Sequence, residues 1–132
     1  ATCAEVAADP ASGKIRVVRA VTAFECGAVL NPDHLKNQIE GAVVQGLGGA
    51  LFEAIEFDNG KIRNAAFSAY RVPRFSDTPL LETVLVDRKD MAPLGAGETP
   101  IICIAPAVAA AIFQATGNRP RSLPMSASGV KT

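Results

Sequence analysis

Apolar positions recur along the chain first in short β-prone runs and then at helical spacing. Thr2 to Ala8 is a short β-prone stretch, and Ile15 to Phe24 is a second, more apolar one. Between them Asp9-Pro10-Ala11-Ser12-Gly13 is dense in turn formers, so the pair reads as a hairpin. The second strand ends near Cys26-Gly27, and Asn31-Pro32 marks a stop followed by a helix start, with Pro32 suited to the first turn. From there Leu35, Ile39, Val43, Leu47, Ala50, Leu51 and Ala54 recur at helical spacing over about five turns, which predicts a long helix with one core face.

Ile55-Glu56-Phe57, the turn Asp58-Asn59-Gly60 and Lys61-Ile62-Arg63 predict a second hairpin, because Asn-Gly is a favoured two-residue loop. After a Pro-containing loop from Arg71 to Pro79, Leu81 to Val86 alternates weakly and reads as another strand. Met91 to Pro100 has too many glycines and prolines for a regular element. Ala105 to Ala115 is Ala-rich, with Pro106 early and Gly117 just past its end, and reads as a capped helix. Ser126 to Thr132 is small and polar and is expected to fray. This order of elements predicts an α+β domain with helices packed on a mainly antiparallel sheet.

Composition narrows the function classes. With 132 residues the chain suffices for one domain, since chains of this size bury roughly two-thirds of their unfolded surface. Its 48% hydrophobic and 20% charged residues are those of a globular protein. Thirteen basic and thirteen acidic residues cancel, and no Lys/Arg cluster is suited to a phosphate backbone, so no nucleic-acid partner is expected. Cys3, Cys26 and Cys103 lie far apart, without a C-x-x-C pair or a zinc-spaced histidine, which argues against a disulfide framework and a local metal site. The longest apolar run, Pro100 to Phe113, is interrupted by Pro106 and falls short of the roughly 20 residues that span a bilayer. The first residues lack the pattern of a signal peptide.

Candidate chemistry sits at two places. On the long helix Gln38, Gly41, Gln45 and Gly48 are spaced three, four and three apart and share a stripe beside the apolar face. A helical glycine costs about 1 kcal/mol relative to alanine, so Gly41, Gly46, Gly48 and Gly49 require a compensating close contact, with either a neighbouring element or a ligand. The second place is Leu94-Gly95-Ala96-Gly97-Glu98-Thr99-Pro100, where a carboxylate stands between a flexible Gly-x-Gly and a rigid proline. In an apolar cavity Glu98 would gain proton affinity and suit a general base; the other reading is a solvated loop glutamate or a helix-start charge. His34, at the helix start beside Asp33, fits a surface role. Cys26 reads as a buried small apolar residue before a reactive thiol. Tyr70 and Arg71, before Val72-Pro73, read as loop anchors.

Six segments in this order resemble one family. They are Glu25-Cys26-Gly27, Asn31-Pro32, Gln38 to Gly48, Ser68-Ala69-Tyr70-Arg71-Val72-Pro73, Gly95-Ala96-Gly97-Glu98, and Ile104-Ala105-Pro106-Ala107-Val108. In order and spacing they are similar to the end of the molybdopterin-binding large subunit of the xanthine dehydrogenase and aldehyde oxidase family. The form resembles bacterial isoquinoline oxidoreductase and membrane-associated aldehyde dehydrogenase large subunits, and the likeness runs to about Pro124.

The resemblance implies that residues 1–125 are the C-terminal part of a molybdenum-cofactor-binding domain, with 126–132 a flexible tail. It implies oxidation of an aldehyde or N-heterocycle with water as oxygen source. The glutamate matching Glu98 is then the catalytic base and the glutamine matching Gln38 a pterin ligand, with Gln45 and Gly97 as further cofactor contacts. The implied cofactor is molybdenum-molybdopterin, in its cytosine dinucleotide form as one option, held by the full subunit and not by this piece alone. No metal is expected on protein side chains. The implied partners are the remainder of the large subunit, an iron–sulfur subunit, since the Cys spacing of clusters is absent here, a cytochrome c acceptor and the small-molecule substrate. The implied compartment is the bacterial cytoplasm or periplasm. The Gly-Phe-Gly-type loop and arginine-bearing segments of the family are missing, so a truncated, inactive piece is expected. The rival readings are a stand-alone interaction or scaffold domain of the same fold, and an accessory protein that binds free cofactor.

Overall fold

In the computed structural model, which describes residues 1–132, Asp9 closes the first turn. Its Oδ1 accepts from the N–H groups of Ala11 at 2.8 Å and Ser12 at 3.2 Å. Strand β1 (Thr2–Ala8) thereby returns antiparallel to β2 (Ile15–Glu25). The pairing passes from Glu5 opposite Arg19 to Val6 opposite Val17, which leaves Val18 as a bulge. The buried positions change parity there, from Ile15 and Val17 to Ala20 and Thr22, as a one-residue insertion in a strand of period two demands.

The long helix α1 (Pro32–Leu51) starts where Asn31 accepts from the N–H of His34 at 3.0 Å, with Pro32 in the first turn. It ends a little before Ala54, because the Gly48 carbonyl accepts from both Phe52 and Glu53. The second hairpin forms as two two-residue strands, β3 (Phe57–Asp58) and β4 (Lys61–Ile62). Buried Asn64 holds its base, accepting from the N–H of Glu56 at 3.0 Å and donating to the Ala54 carbonyl at 2.7 Å.

Strand β5 (Leu80–Val86) runs parallel to β2, giving the order β1-β2-β5. One sheet pairing is therefore antiparallel and the other parallel, the latter reached by a crossover through α1. Arg19 binds all three strands: its Nε and Nη2 donate to Glu82 at 2.6 and 3.0 Å, and its Nη1 donates to Glu5 at 2.8 Å. These hydrogen bonds favour the charged form of Glu82 and lower its pKa.

A short 3-10 turn, Thr99–Cys103, leads into α2 (Ile104–Thr116), which Gly117 terminates in a left-handed conformation. Ile104, Val108 and Ile112 are buried against the sheet and α1, where they meet Val17, Val43 and Leu47. The segment 126–132, expected as a flexible tail, is packed instead. Val130 joins Met125 in the core, and the Lys131 carbonyl accepts from the N–H of Ile15 at 2.7 Å. Small polar composition concealed this, because the anchoring rests on one valine, the backbone bond to Ile15, the Ser128 hydroxyl that accepts from Arg121 and Ser122, and the Lys131 ammonium that donates to the Ser12 carbonyl.

This packing is open to two tests. A Cβ at Gly46 would lie 2.1 Å from Ile104 Cγ2, whereas one at Gly49 would meet nothing within 4 Å. Gly46→Ala is expected to destabilise the chain by about 1–3 kcal/mol through overpacking, and Gly49→Ala to stabilise it by about 0.5–1 kcal/mol through helix propensity; urea denaturation reads both signs. The Glu82 pKa is lower folded than unfolded, so its pairing with Arg19 stabilises fully above the ordinary carboxylate range. That contribution is lost as pH falls below roughly 4. Glu82→Gln should therefore flatten the acid limb of the stability curve while leaving its shape above pH ~6 unchanged.

Candidate functional site

The loop from Met91 to Glu98 is held at both ends by close backbone approaches. At one end, Gly27 has φ +78°, and a Cβ there would lie 2.0 Å from the Ala92 carbonyl oxygen. The missing side chain lets the Cys26 carbonyl accept from the N–H of Leu94 at 2.8 Å. At the other end Ile104 fills the space above Gly46, so the 3-10 turn lies against the middle of α1. Between these anchors Gly97 and Glu98 cross the exposed side of the helix.

The result is a cleft of about 310 Å³ lined by Gln38, Gly41, Ala42, Gln45, Gly97, Glu98 and Ile101. All four residues singled out for cofactor binding or base chemistry, Gln38, Gln45, Gly97 and Glu98, thus share one concavity although up to 60 positions separate them in the chain. Glu98 is the sole charged residue among the lining. It is exposed on the open cleft, not enclosed in an apolar cavity. Its backbone carbonyl accepts from Ile101 at 2.9 Å and starts the 3-10 turn, while its carboxylate caps nothing. Gln38 and Gln45 are both exposed on the helix.

The helical glycines divide in two. Gly46 and Gly48 admit close neighbours, Ile104 for the first and the Glu53 carboxylate for the second, whereas Gly41 and Gly49 face open space. Gly41 therefore supplies bare backbone to the cleft, and Gly48, expected in the same stripe, is taken up by packing.

Two further clefts continue the groove along α1. One, of about 320 Å³, shares Gln38 and Gly97 and adds the apolar side chains of Cys26, Val29, Leu30 and Leu94, with His34 at its edge. The other, of about 440 Å³, shares Gln45 and Ile101 and reaches Glu53 and Ala105. Reading by motif missed these walls. The available signal was a pair of leucines, Leu30 and Leu94, in loops where nothing in the chain covers them. Cys26 is buried, and His34 is exposed.

Tyr70 and Arg71 anchor the loop beyond α1. The Tyr70 hydroxyl donates to Glu53 at 3.2 Å, and its pKa is raised, first by desolvation and then by the Glu53 charge. Arg71 stacks over the Phe52 ring with 4.3 Å to its centroid and donates to Asp77 at 2.8 Å. Desolvation raises the Asp77 pKa, but the Arg74 N–H and Arg71 guanidinium outweigh it and leave it lowered.

No group of three or more His, Cys, Asp and Glu side chains is placed to hold a metal ion. What the cleft offers is two amides that both donate and accept, bare backbone at Gly41 and Gly97, and one carboxylate. That set suits an organic ring bearing hydrogen-bond donors and acceptors, with a proton to be moved nearby.

The chain matches the model of the molybdopterin cofactor-binding domain over residues 1–79, which take in Gln38, Gly41 and Gln45 but stop short of Glu98. It is 33% identical over 128 residues to a nicotinate dehydrogenase subunit of Pseudomonas putida, covering 97% of this chain and 11% of that protein. To the beta subunit of isoquinoline 1-oxidoreductase of Brevundimonas diminuta it is 34% identical over 125 residues, covering 95% and 16%. Its fold matches that of the aldehyde oxidoreductase from Desulfovibrio gigas with a TM-score of 0.79 and 32% identity, over 92% of this chain and 14% of that one. The chain thus spans well under a fifth of the length of these relatives.

Proposed function

The chain belongs to the molybdopterin cofactor-binding domain family, among the xanthine dehydrogenase and aldehyde oxidase proteins, and we propose that it forms one wall of the active site of a molybdenum hydroxylase subunit. The observation that carries this reading is the convergence of Gln38, Gly41, Gln45, Gly97 and Glu98 on one cleft. In this reading residues 1–125 are the C-terminal part of the cofactor-binding domain.

When bound, the molybdenum cofactor supplies two-electron oxidation of an electron-poor carbon in an aldehyde or N-heterocycle, with oxygen drawn from water. Gln38 and Gln45 would hold its pterin through their amides, in the dinucleotide form or without it, while Gly41 and Gly97 let the ring lie against bare backbone. Glu98 would take on its carboxylate the proton that the water-derived nucleophile loses as its oxygen bonds to the substrate carbon, and would pass it to solvent afterwards. The position suits that task because the Gly97 backbone precedes it and the 3-10 turn fixes its own. Electrons leave through an iron–sulfur partner and, beyond it, a carrier such as a cytochrome c. Because the cleft is open and its other walls lie outside this chain, the chain alone is inactive.

A stand-alone scaffold of the same fold is the reading this displaces. A scaffold has no use for an uncapped carboxylate and two free amides in one concavity.

Two variants of the complete subunit test the assignment. Glu98→Gln keeps the shape but cannot take a proton, so turnover should fall by about a hundred- to ten-thousand-fold with molybdenum content near the parent value. Reduction by substrate at the parent rate would show that Glu98 is not the base, whereas loss of the cofactor would mark it as a structural residue. Gly41→Leu puts a bulky side chain into open space above the stripe and should lower molybdenum per subunit; normal loading would remove the stripe from the cofactor site.

A further inference from the structure

The helix α2 carries no charged residue, and its outer face is apolar up to Gln114 in the last turn, yet this chain covers only one side of it. From Thr99 to Thr116 there is no Asp, Glu, Lys or Arg. Ile104, Val108 and Ile112, four apart, are at most 1% exposed and face the core. On the opposite side Pro106 and Ala110, and in line with them Ile102 of the preceding 3-10 turn, are exposed, with Ile102 at 70%. Leu123, 62% exposed, lies beside them, sharing one cleft with Ile102 and Ala105 and another with Pro106 and Ala109. A surface helix carries charged or polar residues on its outer face; one that is apolar all round is a buried helix.

We propose that the outer face of α2, with Leu123, docks against the remainder of the same molybdenum-binding subunit. This rests on the reading that the chain works within a longer subunit. The relatives supply the room for such an occupant, since this chain corresponds to 11% of the length of one and 16% of another. The surface also fits protein better than lipid. By length and composition Thr99–Thr116 is apolar enough to cross a membrane, but its inner stripe is committed to the core, so it cannot leave the domain without unfolding it. Its outer face is mostly alanine and proline, whose small side chains let another backbone approach closely. A second copy of this chain is the remaining occupant. The face opens at Gln45 and Ile101 onto the groove that holds Glu98, so the body that covers α2 also borders the site, and a second copy would supply none of the site's missing walls.

The test is thiol labelling of Ile102→Cys and Ala110→Cys, followed by peptide mass spectrometry to separate them from Cys3, Cys26 and Cys103. Each rate is referred to that of the same variant in urea. In the 132-residue chain both sites should react within a few-fold of the unfolded rate, whereas the complete subunit should protect each of them by at least about a hundred-fold. Free reaction in the complete subunit overturns the proposal. Protection of the short chain that grows with its concentration assigns the face to a second copy, and protection gained on adding phosphatidylcholine–phosphatidylglycerol vesicles assigns it to lipid; either overturns it. Failure of the Glu98 assignment would appear as parent-rate turnover in Glu98→Gln and would leave these labelling rates untouched.

Discussion

Two absent side chains govern the geometry of this molecule. Gly27 and Gly46 each occupy a point where a Cβ would sit about 2 Å from a neighbour, the Ala92 carbonyl in one case and the Ile104 methyl in the other. Together they pin both ends of the glycine-rich loop against β2 and α1. With its ends fixed, the loop has one course left to it, across the exposed stripe of the helix, and Gly97 and Glu98 arrive beside Gln38 and Gln45 as a consequence. The flexible Gly-x-Gly lies between the anchors and is not itself in contact: a Cβ at Gly95 or Gly97 would meet nothing within 4 Å. Rigidity is placed at the ends of the loop and bare backbone at its centre.

The helix α1 serves the core and the site from neighbouring faces. Ile39, Val43 and Leu47 are buried at intervals of four, and Gln38, Gly41 and Gln45 run alongside in solvent. Packing on the sheet therefore fixes the rotation of the helix, and the rotation aims the amides. The same interlock reaches the far end, where Glu53 folds over Gly48 and accepts from Tyr70, and Arg71 stacks on Phe52. Positional accuracy in the cleft thus comes from apolar contacts that never touch a ligand.

Much of this was legible from spacing. The turn composition at Asp9–Gly13, the Asn31-Pro32 start and the apolar period from Leu35 to Leu51 specify their elements locally, so they could be read from short windows. The parallel pairing of β5 with β2 could not, because its ladder joins Arg19–Glu25 to Leu80–Val86, segments 61 positions apart. The packing of residues 126–132 was hidden for the same reason: Val130 is one apolar residue in a polar stretch, and the core that receives it is built from distant segments. At the candidate site, the residues were named from the family resemblance, and that they would line one cleft was not legible. Which helical glycines serve packing and which face the cleft is also invisible in the sequence, since Gly46 and Gly49 are alike until Ile104 is placed above one of them.

The uncovered features point the same way. Glu98, proposed as the general base, is exposed here, although a base is most useful where water is excluded; an apolar helix face belongs inside a protein, yet one face of α2 is bare; Leu30 and Leu94 line a cleft without a roof. The bare apolar face and the uncovered leucines would be energetic faults in a self-sufficient domain. They lie along one continuous groove and the helix face beside it, so a single covering body resolves all of them at once. Under the proposed reading that body completes the pocket around the cofactor as it buries α2. Enclosure of the base and stability of the domain would then come from the same interface. Under this reading a pocket that only its counterpart completes keeps a reactive cofactor from water, which is the physical advantage of dividing one active site between separately packed parts of a subunit.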